Sequence, residues 1–257
     1  MNLGFIGTGA IAEAIIIGLL TRGEWEQRIL VSRRSRERST ILAERFARVE
    51  VIDDNQQIVD RCDWVVLSVL PDQARDVLSQ LTFGSQHKLL SLVAGMDVPA
   101  LRSLAEPVTA CHRAVPMPPV EFGYGPTAIF PPDPELERLF GSIGLAMPVD
   151  DEGLFSVFTS ATAMMAAYFD LVASVARWME EEGVESRDAA LFVSSMVQAL
   201  SSLTTRADAQ KLQQMSEACM TVGGLNEQVL TACRAENFND ILREQLDLVM
   251  MRLSQSN

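Results

Sequence analysis

Lysine and histidine are almost missing from this chain of 257 residues: Lys88, Lys211, His87 and His112 are the whole supply. Schiff-base chemistry and histidine triads therefore have few places to sit. Cysteine is little better represented. Cys62, Cys111, Cys219 and Cys233 are scattered with no C-x-x-C pair, so neither a disulfide framework nor a zinc site is written here and no metal is expected; reduced cytosolic thiols are the reading. Positive charge is short as well, with Lys+Arg 21 against Asp+Glu 34, a net of −13. A surface that negative repels phosphate backbones and anionic lipids, which sets aside nucleic acid and membrane surfaces as partners. The longest uncharged run, Gly153 to Phe169, falls just short of a membrane span and carries Ser and Thr, so it reads as a buried helix. The opening Met1-Asn2-Leu3-Gly4-Phe5 has no basic stretch and no cleavage site, so no signal peptide is expected and the location is expected to be cytoplasmic. Neither an internal repeat nor a low-complexity tract is visible.

What is present is ordinary globular material. Apolar residues make up 48 % and charged residues 21 %, which excludes disorder and collagen-like structure. The length suits two domains and can bury most of its unfolded surface without a disulfide or metal staple. Up to about residue 150, short β-like runs alternate with helix-like stretches. Leu3–Ile6, Arg28–Val31, Asp63–Val69 and Lys88–Val93 are apolar nearly throughout, as strands of a parallel sheet covered on both faces must be. Ala10–Leu20 and Arg36–Arg48 read as helices between them. Pro and Gly crowd from Pro107 to Pro134 around one more short strand at Thr127–Phe130. From Gly153 onward proline vanishes and Ala, Leu, Met, Glu and Gln recur at helical spacing, which predicts four or five helices. Gly183 reads as a helix stop and Ser186 as the next N-cap. The expected fold is α/β: a Rossmann-type dinucleotide-binding domain over 1–150, then an all-α domain over 151–257. The helix begun at Gly153 and continued to Ala176 is apolar nearly all round. Burying it takes more helices than one small domain has, so a homodimer, or a higher homo-oligomer, is expected.

The first strand runs into Gly7-Thr8-Gly9-Ala10-Ile11-Ala12, which opens the first helix. This is the Gly-x-Gly-x-x-Gly/Ala turn of a dinucleotide site: Gly7 permits the tight turn, Gly9 lets a diphosphate approach the backbone, and Ala12 allows close packing of helix on strand. The N–H groups of the first helical turn and the helix dipole then hold the phosphates. At the end of the second strand stands Ser32-Arg33-Arg34-Ser35, where a site for NAD would place Asp or Glu on the ribose hydroxyls. Two guanidinium groups and two hydroxyls suit a 2′-phosphate, so NADP is the expected cofactor. His112 and Arg113 close a predicted strand. His112 reads as a structural histidine bonded to a loop carbonyl rather than as a proton donor.

Over nearly its whole length the chain resembles pyrroline-5-carboxylate reductase. The resemblance is carried by Gly4-Phe5-Ile6-Gly7-Thr8-Gly9, by Ser32-Arg33-Arg34-Ser35, and by Val66-Leu67-Ser68-Val69-Leu70-Pro71, where the family has an apolar strand ending in Lys-Pro. Ser91-Leu92-Val93-Ala94-Gly95-Met96 is similar to the family's Ser-x-x-Ala-Gly, and Arg113–Pro119 to its Arg-x-Met-Pro-Asn-x-Pro. Thr221-Val222-Gly223-Gly224 lies where the family has Thr/Ser-Pro-Gly-Gly-Thr. The resemblance implies NADPH-dependent reduction of a small cyclic imine, pyrroline-5-carboxylate, to proline. It adds Ser68, Val69, Leu70, Ala94 and Gly95 to the cofactor residues, and implies substrate contacts at Met117, Thr221, Gly223, Gly224, Leu225 and Asn226. Ser160 or Thr162 would hydrogen-bond the imine nitrogen. The sequence also departs from the family. Its Ser-Gly-Ser-Gly-Pro-Ala-Tyr has become Thr159–Met165 without glycine or proline, Leu225 and Asn226 replace Thr-Thr, Met117 replaces Asn and Leu70 replaces Lys. Two other readings stay open: an imine or β-hydroxyacid-type oxidoreductase of different substrate, and a non-catalytic NADP-binding protein.

Overall fold

A computed structural model describes residues 2–23, 25–34, 36–205 and 207–255. They divide into two compact units, Met1–Thr162 with Val249–Asn257, and Ala163–Leu248.

The first unit holds eight strands: β1 (Leu3–Ile6), β2 (Ile29–Ser32), β3 (Val49–Ile52), β4 (Trp64–Leu67), β5 (Lys88–Ser91), β6 (Ala110–Val115), β7 (Pro126–Phe130) and β8 (Leu145–Pro148). They form one sheet in the order β3-β2-β1-β4-β5-β6-β7-β8. The first six run parallel, β7 is antiparallel to β6, and β8 lies parallel to β7. The order of the first six is the doubly wound one, with its switch point between β1 and β4. Helices α1 (Ala10–Thr21), α2 (Arg36–Arg45), α3 (Asn55–Arg61), α4 (Pro71–Ser79), α5 (Val98–Leu104), α6 (Pro134–Gly141) and α7 (Glu152–Ala161) complete the unit. Every residue of β1, β2 and β4 is buried. Ile15, Leu19 and Phe140 cover one face of the sheet, over Phe5 and Val66. Ile58, Ala74, Leu78 and Leu101 cover the other, over Val65 and Leu89. Burial on both sides is why these strands lack polar alternation.

β3 and β8 had no clear signature. β3 reads Val-Glu-Val-Ile and buries only its two ends; β8 is partly exposed along its whole length. Both are sheet edges, where burial no longer dictates an apolar run. The boundary expected at 150/151 moves to 162/163. The change of texture at Gly153 marks α7, but α7 seats Phe155 against Ala128 and Val149 and so belongs to the first unit. Asp151 starts the helix as its N-cap, accepting the Leu154 N–H at 2.8 Å. Glu152 ties it to the rest of the unit: its Oε1 accepts the Val98 N–H at 3.0 Å and an Arg113 Nη1–H at 2.9 Å.

The second unit contains α8 (Met165–Glu181), α9 (Ser186–Thr204), α10 (Ala209–Ala218), α11 (Leu225–Ala235) and most of α12 (Phe238–Gln255). A 3₁₀ turn at Thr162–Met164 separates α7 from α8. Gly183 does stop α8, at φ +95°. The N-cap of α9, however, is Glu185, whose carboxylate accepts the N–H groups of Arg187 and Asp188, while Ser186 Oγ donates to Glu180. The stretch 153–169, expected as a buried helix, is covered only in part within the single chain: α7 buries Phe155 and Ser160. α8 buries none of its residues within the single chain, and the stretch Glu152–Glu181 is by length and composition apolar enough to cross a membrane. Among the described residues from 163 to 248, Ala189 and Val193 alone are buried.

Candidate active site

The turn after β1 is tied to both neighbouring strands. The Gly7 N–H donates to Ser32 Oγ at 2.8 Å, Thr8 Oγ1 donates to the Ser32 carbonyl at 2.8 Å, and the Ser68 N–H donates to the Ile6 carbonyl at 2.8 Å. Gly7 sits at φ +94°, and a Cβ there would lie 2.3 Å from the Ser68 carbonyl oxygen. No other residue type fits this position, for both reasons. Gly9 is the N-cap of α1 and gives it no side-chain cap. A Cβ added at Gly9 would meet nothing within 4 Å. The glycine therefore leaves an open approach to the first-turn N–H groups, the arrangement an anion needs.

Around this turn lies a cleft of about 510 Å³ at the switch point of the sheet. Its lining includes Gly7, Thr8, Gly9, Ala10 and Ile11, with Ser68, Val69 and Leu70 across from them and Arg34 at one end. Nine of the thirteen cofactor residues expected from sequence thus converge. The other four do not line it. Ser32 is buried, and its hydroxyl is occupied by the Gly7 N–H, so it braces the glycine turn instead of meeting a phosphate. Arg33 is paired through Nε with Asp53, the residue after β3. Ala94 and Gly95 follow β5 outside the lining, with Gly95 buried at φ +75°. Ser35 lies outside the described residues. Two lining residues, Gln73 and Leu92, escaped the sequence reading. Gln73 stands in the first turn of α4, two residues after Pro71, and the rule applied to α1 would have found it. Asp53 escaped because β3 did.

The two hydroxyls expected to do chemistry are turned inward. Ser160 is 4 % exposed and donates its proton to the Ser156 carbonyl at 2.9 Å. Thr162 donates to the Thr159 carbonyl at 2.7 Å and is half-buried, which leaves its oxygen lone pairs as acceptors. Met117, also half-buried, precedes a 3₁₀ turn over Pro118–Phe122. In the second unit, Thr221, Gly223, Gly224, Leu225 and Asn226 form the turn and first helical residues of α11. The Gly224 N–H is donated to the Thr221 carbonyl and the Gly223 N–H to Glu227 at 2.6 Å; Asn226 Nδ2 donates to the Cys219 carbonyl at 3.1 Å. Leu225 is 83 % exposed.

His112 is structural, as expected, though it sits inside β6 rather than at its end. Its Nδ1 is 2.9 Å from the Pro131 carbonyl oxygen, and its ring packs 5.5 Å from that of Trp64. Trp64 Nε1 and Lys88 Nζ both donate to Glu135, at 2.7 and 2.9 Å, and hold its carboxyl below the usual range. Trp64 and Lys88 begin β4 and β5, so this cluster lies at the end of the strands opposite the cleft. Burial pushes the Cys62 thiol up to about 12 and the Cys111 thiol up to about 11, which keeps both protonated and unreactive.

Residues 2–95 match a family described as NADP oxidoreductase, coenzyme F420-dependent. Over 262 aligned residues the chain is 25 % identical to the pyrroline-5-carboxylate reductase of Haemophilus influenzae, covering 97 % of this chain and 95 % of that one. Its fold is that of the 1-pyrroline-5-carboxylate reductase of Streptococcus pyogenes, at TM-score 0.85 and 23 % identity over 99 % and 98 % of the two chains. The pyrroline carboxylate reductase of Plasmodium falciparum, a structure with NADP bound, superposes at TM-score 0.87 and 18 % identity over 100 % and 98 %. The likeness runs through both units and not the glycine turn alone: over nearly its whole length the chain is similar to pyrroline-5-carboxylate reductases.

Proposed function

We propose that this protein reduces 1-pyrroline-5-carboxylate to L-proline, with NADPH as the reductant. The observation that carries the reading is the uncapped start of α1 behind Gly9, which opens onto the cleft at the switch point of the sheet. The N–H groups there would hold the diphosphate, and Arg34 would meet the 2′-phosphate at the end of the cleft. Val69, Leu70 and Leu92 offer apolar contact along the same cleft. When bound, NADPH supplies the hydride. What remains for the protein is to orient the imine, keep its nitrogen protonated and exclude water.

Thr162 Oγ1, with its own proton given to Thr159, can accept an N–H from the protonated imine. Ser160 has no such capacity while buried. For the substrate carboxylate, the hydroxyl of Thr221 and the N–H groups of Leu225 and Asn226 at the start of α11 are the proposed donors. The Gly223 and Gly224 N–H groups are already engaged, and Leu225 brings no hydroxyl, so the carboxylate is held by fewer donors than the family's motif provides. Met117 is proposed as an apolar neighbour of the ring. The working form is proposed to be a cytoplasmic homodimer, supported by the exposure of Leu191, Phe192, Leu200 and Leu203 along α9.

The test is steady-state oxidation of NADPH by the purified chain with 1-pyrroline-5-carboxylate, with proline measured as product. Turnover with stoichiometric proline is expected. Tight NADPH binding with no turnover would instead mark a cofactor-binding protein that has lost its reaction.

A further inference from the structure

The end of β2 carries two arginines in different electrostatic states. Arg34 lines the cleft and forms no ion pair among the described residues. Arg33 does not line it, and its Nε is tied to Asp53 Oδ1. The backbone explains the pairing. Ser32 and Ile52 are register partners, and the Arg33 N–H donates to the Ile52 carbonyl at 3.1 Å, so the residue after β3 comes to lie beside the residue after β2. Asp54, next along, is spent as the N-cap of α3, accepting the Gln56 N–H at 2.9 Å. Glu13, on the first turn of α1, is itself paired with Arg38. Asp53 is therefore the carboxylate that governs the second arginine.

In dinucleotide sites of this order, a carboxylate at the end of β2 selects NAD by binding the ribose hydroxyls, and an arginine there selects NADP. Here the carboxylate has moved one strand over. It removes one of the two cations from the phosphate. We propose that Asp53 sets the cofactor selectivity of this protein: by holding Arg33 it leaves Arg34 to receive the 2′-phosphate, and so moderates the preference for NADPH over NADH. The proposal rests on the NADPH reading above and deepens it. Arg33 and Asp53 are both exposed, with side-chain exposures of 46 % and 73 %, so either can be changed alone without opening the core.

The experiment is titration of the full chain with NADPH and NADH by fluorescence, repeated with 2′,5′-ADP and 5′-AMP by calorimetry. Asp53→Asn should tighten NADPH and 2′,5′-ADP by about fivefold, the size of an exposed ion pair gained, and leave NADH and 5′-AMP nearly unchanged. Arg34→Ala should weaken NADPH by about tenfold or more, and Arg33→Ala by about twofold at most. Arg33→Ala added to Asp53→Asn should cancel the gain. An unchanged NADPH-to-NADH ratio in Asp53→Asn would overturn the proposal, as would a gain that survives Arg33→Ala, or equal losses from the two arginines. Those results leave the reductase reading intact. If neither nucleotide binds the unmodified chain, both fall together.

Discussion

The two units of this protein satisfy the same requirement, burial of apolar side chains, in opposite ways. In the first, a sheet covered on both faces closes its core within one chain: β1, β2 and β4 are buried at every residue. In the second, helices of comparable apolar content leave Leu191, Phe192, Leu203, Val229 and Ile241 in solvent. A sheet covered by helices on both faces is a complete structure, whereas a helical unit this apolar and this open leaves surface that the proposed homodimer would cover. The contrast separates the tasks as well. Everything proposed to hold the cofactor is in the unit that is finished alone, and most of what is proposed to hold the substrate is in the unit that is not.

The sharpest way to break the contrast is to make the second unit unable to pair. Leu191→Glu with Leu203→Glu should turn a dimer into a monomer by sedimentation and reduce turnover by about a hundredfold or more, while NADPH binding by the first unit survives. Loss of cofactor binding in the same variant would mean that the units are not independent in this sense. A smaller effect is expected inside the first unit. Arg113 is 4 % exposed, lies 4.7 Å over the Phe155 ring and is neutralised by Glu152. Arg113→Ala would strand that carboxylate and cost about 3 kcal/mol in denaturant unfolding. A cost of a few tenths would show that α7 is held by its apolar face alone.

The smallest effect concerns pH. Trp64 and Lys88 hold Glu135 below its ordinary value of 4.5, so its charged form is favoured by the fold. Stability from it is complete above the unfolded value and is lost as pH falls through the folded one. Because the side chain is 39 % exposed, the amount is discounted to about half a kcal/mol. Glu135→Gln should therefore be less stable than the parent at neutral pH and converge on it in acid, measured by urea unfolding across that range. A constant gap would assign the difference to packing.

Much of this was legible in the residues. The Gly7–Ala12 turn, the apolar runs of β1, β2, β4 and β5, and the change of texture near 150 all follow from local chemistry: a positive φ, two-sided burial, helical spacing. β3 was not legible, since an edge strand with Glu50 at its centre carries no apolar run, and Asp53 was missed with it. Nor could residue type reveal that the hydroxyls of Ser160 and Thr162 are given to backbone carbonyls one helical turn back. Ser32 is the instructive case. Its identity pointed to a phosphate, but its depth made it a brace for the turn that would hold one.

By itself the sequence determined where chain direction and covering could go, because φ preferences and apolar spacing act within a few residues of each other. The pairing of Arg33 with Asp53, the seating of α7 on the sheet and the bracing of the glycine turn by Ser32 belong to the tertiary structure alone. Each depends on which distant atoms arrive within hydrogen-bonding or van der Waals reach, and that separation is set by the register of strands and helices, which no short window of residues contains.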